Sequence, residues 1–365
     1  MPNKSTDSLF QLIKSLEKAE KRNFKLYIKR NSGGADLKIV QLFAALDKMQ
    51  EYDETQLLKN KSIRKQQLSN IKSHLYREIL ASLRIIKYTD NIDLQLHEQM
   101  AYARILYNKG LYHQSLRILD KTKEMAQSHN QFTYLMQALF FEKKIESLHI
   151  TRSMQDRADI LTGEAEKTNQ KLVRISRLSN LSLQLYSWYI RHGNTRNADD
   201  DAAIKKFFAD HLPRNADTVQ GFYERLCLYQ SYCWYTFIRQ DWLAYYRYPN
   251  KWVQLFRKEP LMEIETAHYI KGMHNLLNAH FGLRNYPRFN ETLREFEDFS
   301  KSELVSLTPN NRIQTIVYLH IALINKHFLE GTFTEGLKLV KYIDEKLTEY
   351  HLYLDRHRVL VFHYK

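Results

Sequence analysis

The chain has 365 residues, 44% hydrophobic and 26% charged, with 55 Lys and Arg against 41 Asp and Glu for a net charge of +14. That length suggests two or three domains with a sizeable core. It contains 10 glycines and 6 prolines, with no proline between Pro2 and Pro213, whereas average usage gives roughly 26 glycines. Sheets, sandwiches and barrels need both residues at their turns, so the composition excludes them and leaves an almost entirely helical chain.

The first residues, Met1 to Asp7, lead into an amphipathic helix and not into a secretory apolar run. No apolar stretch of 18 occurs anywhere, so the expectation is a cytoplasmic protein with no membrane contact. Residues 1–90 hold 18 basic and 10 acidic side chains, which places +8 of the +14 in the first quarter. Asp7 caps a helix with Leu9, Ile13 and Leu16 on one side. A break is expected near Ala19, where Glu20 would otherwise enter the apolar stripe ahead of Phe24 and Tyr27. Asn31 to Gly34 reads as a turn, and Asp36 begins a second helix with Ile39, Leu42, Phe43 and Leu46. Asp53 caps a short third, and a long fourth runs from about Gln66 to Lys87 on Leu68, Ile71, Leu75, Ile79 and Leu83.

Lysines 14, 18, 21, 25 and 29 are spaced 4, 3, 4 and 4, which puts them on one face of a continuous helix. Arg22 flanks the row, and Arg77 and Arg84 lie opposite the apolar stripe of the fourth helix. Lys14, Lys18, Lys21, Arg22, Lys25, Lys29, Arg77 and Arg84 are therefore the candidate polyanion-binding residues, for nucleic-acid phosphates or an acidic protein.

Four later places share one pattern: a turn, an aromatic residue, then an apolar helix. They are Gly110-Leu111-Tyr112, Gln240-Asp241-Trp242, Arg284-Asn285-Tyr286 and Gly331-Thr332-Phe333. The aromatic positions are 130, 44 and 47 apart, which predicts about six stacked helix hairpins of period near 44 over residues 91–351. The two less visible turns are expected near Thr151-Arg152-Ser153 and His192-Gly193-Asn194. Pro213, Pro260 and Pro309 fall between hairpins. Residues 352–365 read as a C-terminal capping helix. The fold class is all-α, an α-α superhelix with a basic N-terminal helical subdomain.

In the first hairpin Tyr102-Ala103, Leu106, Gly110, Tyr112, Ser115 and Leu119 resemble the large, small and turn positions of tetratricopeptide-like repeats. The match is partial at Trp242, with Cys233 in a small position and Tyr245 where a small residue is usual. Phe289 after Tyr286 is also large, and Gly336 after Phe333 fits. The resemblance implies a right-handed superhelix and a protein-binding scaffold; it transfers no ligand-binding residues. The stretch from Ile13 to Leu26, IKSLEKAEKRNFKL, resembles the opening of a group of uncharacterised helical-repeat proteins from Bacteroidetes-type bacteria, which implies a shared layout and no assigned activity.

Thirteen of the 35 residues from Phe222 to Phe256 are aromatic, more than one helix face can bury. Arginines are interleaved with them, and Tyr, Trp and Arg are the residues enriched at binding hot spots. Tyr235, Arg239, Trp242, Tyr245 and Arg247 are the candidate protein-binding residues. Cys227 and Cys233 form neither a disulfide framework nor a zinc pattern. Glu146-x-x-His149 and Glu265-x-x-His268 have a di-iron helix spacing, but 23 glutamates and 15 histidines give about one such pair by chance. Gly331 to Lys338 imitates a phosphate loop by letter, yet Leu337 stands where lysine is required. The expectation is a non-enzymatic scaffold without metal or cofactor that binds a protein partner; the alternative is a nucleic-acid-binding adaptor using the basic N-terminal helices.

Overall fold

The structure is a computed structural model that describes residues 7–31, 37–58, 65–87, 91–149, 156–214, 216, 219–258 and 261–349. All the secondary structure among these residues is helical: seventeen α-helices and no strand. The chain divides into two compact units, Met1–Glu98 and Gln99–Lys365. The expected turn at residues 32–34, the turn at 151–153 and the capping helix at 352–365 lie outside the described residues.

The first unit contains α1 (Ser8–Ser15), α2 (Lys18–Asn31), α3 (Leu37–Lys48), α4 (Glu54–Leu58) and α5 (Lys65–Lys87). Asp7 caps α1 as expected, its Oδ1 accepting the Phe10 N–H at 3.0 Å. Its other oxygen pairs with Lys72 of α5. Asp53 Oδ1 accepts the Thr55 N–H at 2.8 Å and starts α4. The break between α1 and α2 falls at Leu16-Glu17, slightly before Ala19, where the Glu20 carboxylate accepts the Glu17 N–H at 2.9 Å. Phe24 of α2 packs on Phe43 of α3 with ring centroids 4.7 Å apart, inside a core shared with Leu9, Ile13, Leu42, Leu75 and Ile79.

The next helices are α6 (Ile92–Asn108), α7 (Tyr112–Ser128), α8 (Phe132–His149), α9 (Arg157–His192), α10 (Ala198–His211), α11 (Phe222–Ile238) and α12 (Trp242–Lys258). They are followed by α13 (Thr266–Gly282), α14 (Tyr286–Ser300), α15 (Glu303–Ser306), α16 (Pro309–Glu330) and α17 (Phe333–Glu349). Helices pack on neighbours in sequence order, the arrangement of an all-α helical solenoid.

All four predicted turns are present, and each places its aromatic residue at the first position of the following helix. A fifth, unanticipated one at Asn130-Gln131-Phe132 joins α7 to α8. The five share one geometry. Gly110, Asn130, Gln240, Arg284 and Gly331 all have φ between +52° and +76°, the left-handed conformation that ends a helix. The next N–H in each case reaches back five residues: Leu111 to the Leu106 carbonyl at 3.0 Å, Gln131 to Ala126 at 2.7 Å, Asp241 to Thr236 at 3.1 Å, Asn285 to His280 at 2.9 Å and Thr332 to His327 at 3.0 Å. This is the Schellman closure, which satisfies a carbonyl that a helix end otherwise leaves open.

The even period is not kept throughout. Gly193 ends α9 with φ 71°, at the expected place. Yet α9 is one unbroken helix of 36 residues, about 54 Å long at 1.5 Å per residue, and it runs through the point at which an even period would reverse the chain. A buried charge group holds its start. Glu142 of α8 is fully buried between Lys123 of α7, at 2.6 Å, and Arg157 of α9. Burial pulls the Lys123 pKa down against the opposing pull of Glu164 and Asp120.

Two tryptophans set the register of α12 against α13. Trp242 lies over Gly282, where a Cβ would overlap the indole ring, and Trp252 lies over Gly272, where a Cβ would come within 3.1 Å. The pairs 242–282 and 252–272 step ten residues in opposite directions, as antiparallel packing requires. Gly272 sits inside α13, where glycine costs about 1 kcal/mol relative to alanine, and Gly282 is the last residue of that helix; close ring-to-backbone contact is what the two positions gain.

Two measurements check these features. Arg284→Gly removes the penalty of a side chain in the left-handed region, about 1–2 kcal/mol, less the chain freedom glycine adds when unfolded; the expected net gain is about 0.5–1 kcal/mol in urea unfolding, and a loss contradicts the turn. Gly282→Ala is expected to cost about 1–2 kcal/mol, overpacking against Trp242 exceeding the helix-propensity gain, with a red shift in tryptophan emission. An unchanged or higher unfolding midpoint contradicts the Trp242–Gly282 contact.

Candidate functional site

A groove of about 650 Å³ lies among α9, α11 and α13, with Tyr245 and Trp252 of α12 closing its inner side. Three ties hold its first two walls together. At one end Arg174 of α9 pairs with Glu224 of α11, whose carboxylate also accepts the Gly221 N–H at 3.0 Å. Midway, the Ser231 hydroxyl donates to the Leu178 carbonyl at 3.2 Å. At the far end, the Asn194 side-chain amide donates to the Phe237 carbonyl at 2.8 Å and the Thr195 N–H to the Ile238 carbonyl at 2.9 Å. Contacts that advance together along both helices make α9 and α11 parallel.

The walls differ in chemistry. On the α9–α11 side, Tyr186 meets Trp234 at 5.3 Å between ring centroids, and Tyr189 meets Phe237 edge-on at 5.4 Å. Leu183 is 67% and Tyr186 44% exposed, so this aromatic wall keeps an open apolar edge. Opposite them α13 presents Lys271, His274, Asn275 and Asn278, which share one helix face. The Asn278 amide contacts His274 Nε2 at 3.0 Å, and the His274 ring stacks on Tyr318 of α16 at 4.3 Å. Lys271 Nζ sits 4.8 Å over the same Tyr318 ring and has no carboxylate partner among the described residues. An apolar wall facing a polar wall with a spare cation suits an extended peptide, whose side chains and backbone make unlike demands.

Of the five residues expected to bind protein, only Tyr245 borders the groove, and it is buried, with desolvation raising its hydroxyl pKa well above the usual value. Tyr235 turns the other way and stacks on Phe208 of α10 at 4.0 Å. Arg239 lies over the Tyr235 ring and pairs with Asp201 at 2.7 Å. Trp242 is taken up by Gly282, and Arg247 is exposed on α12, away from the groove. The aromatic density therefore serves inter-helix packing more than the groove. The residues missed, on α9 and α13, left a readable signal: Lys271, His274, Asn275 and Asn278 form a polar i, i+3, i+4, i+7 stripe within a largely apolar helix.

The polyanion candidates also separate. Lys18, Lys21, Arg22, Lys25 and Lys29 line one shallow depression on α2 with Leu26 and with Asp47 of α3. Lys14 belongs to α1, beyond the break, and donates to the Asp47 carbonyl at 2.7 Å. Arg77 and Arg84 are exposed on α5 and do not line the depression.

Cys227 and Cys233 are free thiols; burial pushes the first to about 11 and the second well above its usual value. Glu265 and His268 contact at 2.6 Å, and the Tyr223 hydroxyl donates to Glu265 at 2.7 Å. His149 stacks on Tyr112 at 3.8 Å, away from that pair. Among the described residues no group of three or more His, Cys, Asp or Glu is placed to hold a metal ion, and no helix is long and apolar enough to cross a membrane. No protein-family model, curated protein or solved structure matches the chain.

Proposed function

We propose that this chain is a non-enzymatic, cytoplasmic interaction scaffold whose solenoid binds an extended segment of a partner protein in the groove of α9, α11 and α13. The observation that carries the reading is the pairing of exposed Leu183 and Tyr186 with an opposing stripe that ends in Lys271. Apolar side chains of the partner pack on Tyr186 and Trp234, its backbone is met by Asn275 and Asn278, and an acidic group pairs with Lys271. Two free thiols, Cys233 buried and Cys227 half-buried, suit a reducing compartment. The parallel α9–α11 pair and the Trp–Gly register preorganise the walls, which lowers the ordering cost of binding.

Selection of random displayed peptides on the purified chain tests this. Enriched peptides are expected to carry an apolar or aromatic residue near an acidic one. Tyr186→Ala and Lys271→Ala, both at positions open to the groove, are each expected to weaken them about tenfold, within the range for a hot-spot contact or a charge-assisted hydrogen bond. Failure to enrich any peptide, or peptides indifferent to both variants, contradicts the reading.

A further inference from the structure

The depression on α2 has a volume of about 430 Å³ and carries an unusual excess of one charge. Lys18, Arg22, Lys25 and Lys29 are exposed, spaced 4, 3 and 4 on one helix face, and none pairs with a carboxylate among the described residues. Its one acidic residue, Asp47, is already occupied by Lys21 at 2.7 Å, and its carbonyl by Lys14. From residue 18 to residue 29 the row spans about 16 Å. Along a duplex axis each strand carries one phosphate per 3.4 Å, so the row covers the length of about five base-pair steps.

We infer that this row is a binding site for the phosphodiester backbone of a nucleic acid, separate from the peptide groove. A bilayer surface fits less well, because an interfacial helix needs an apolar face to insert. The apolar residues Phe24 and Ile28 of α2 are buried against the unit's own core, and Leu26 alone remains exposed in the depression. An acidic protein fits less well for a related reason: protein interfaces centre on aromatic or apolar anchors, and the depression offers only Leu26. No Asn or Gln lines it, so adenine has no bidentate partner there, and contacts made to phosphates carry no sequence information.

The salt dependence of binding to a mixed-sequence 20-base-pair DNA duplex, followed by fluorescence anisotropy, tests the site. Four phosphate contacts predict a log–log slope near −3.6, or about a 150-fold loss between 50 and 200 mM KCl. Arg22→Gln/Lys29→Gln removes two exposed cations and is expected to bring the slope near −1.8, about a 12-fold loss over the same range, with unchanged helical circular dichroism. Arg77→Gln/Arg84→Gln, on α5, is expected to leave the slope unchanged, and a second duplex of unrelated sequence to bind equally. The inference is overturned by absence of duplex binding at 50 mM, by a slope indifferent to the α2 variant, by an equal effect of the α5 variant, or by binding to anionic phospholipid vesicles in place of DNA.

Discussion

A single backbone device organises the solenoid: a helix that ends in one left-handed residue and returns its next N–H to the carbonyl five positions back. It occurs at residues 110, 130, 240, 284 and 331. The closure fixes the exit direction of the chain and delivers an aromatic residue to the first position of the next helix, so each turn and the packing beside it form together. Asn130, Gln240 and Arg284 adopt this conformation with a side chain present, at a cost of about 1–2 kcal/mol for Gln240 and Arg284 and less for Asn130, since asparagine tolerates it. The satisfied carbonyl and the aromatic packing offset that cost. Few glycines therefore suffice for many turns.

The groove depends on these turns indirectly. The turn at Gln240 folds α12 back along α11, and Trp242 and Trp252 then take their places on Gly282 and Gly272 of α13. Once α13 is in register, Lys271, His274, Asn275 and Asn278 face α9 and α11 as a set. The α9–α11 wall is held independently by Arg174–Glu224, by the Ser231–Leu178 bond and by the loop at Asn194 and Thr195. Two walls fixed by different interactions give a groove whose shape precedes any ligand, and His274 and Lys271 against Tyr318 extend its support to α16.

Much of the fold was legible because its signals are local. Asp7 and Asp53 announce helix starts, four aromatic turns announce hairpins, and scarce glycine excludes sheets. Asn130-Gln131-Phe132 has the same turn and aromatic as Gln240 and Arg284, but its Phe132 follows Tyr112 by only 20 residues, off the period near 44. The length of α9 was hidden because no stop signal distinguishes a fused helix from two separate ones. At the candidate site the reverse held. Aromatic density between 222 and 256 drew attention to residues that pack helices together, since Tyr235 and Trp242 find their partners Phe208 and Gly282 far along the chain. The lysine row was legible as periodicity, and so was a break that splits it, from Glu20 in the apolar stripe; its place at Leu16-Glu17 was not, because Glu17 and Glu20 supply a start without a Ser, Thr, Asp or Asn cap.

The two surfaces proposed, a peptide groove in one unit and a phosphate-binding row in the other, share a requirement: rigid helices whose ends do not fray. Residue-resolved hydrogen exchange at the amides of Leu111, Gln131, Asp241, Asn285 and Thr332 tests that requirement most directly. The account predicts that all five exchange as slowly as the helix interiors that flank them, because each closes a hydrogen bond inside a cooperative unit. Exchange at open-chain rates at these positions, with the flanking helices still protected, contradicts the claim that the turns hold the solenoid together.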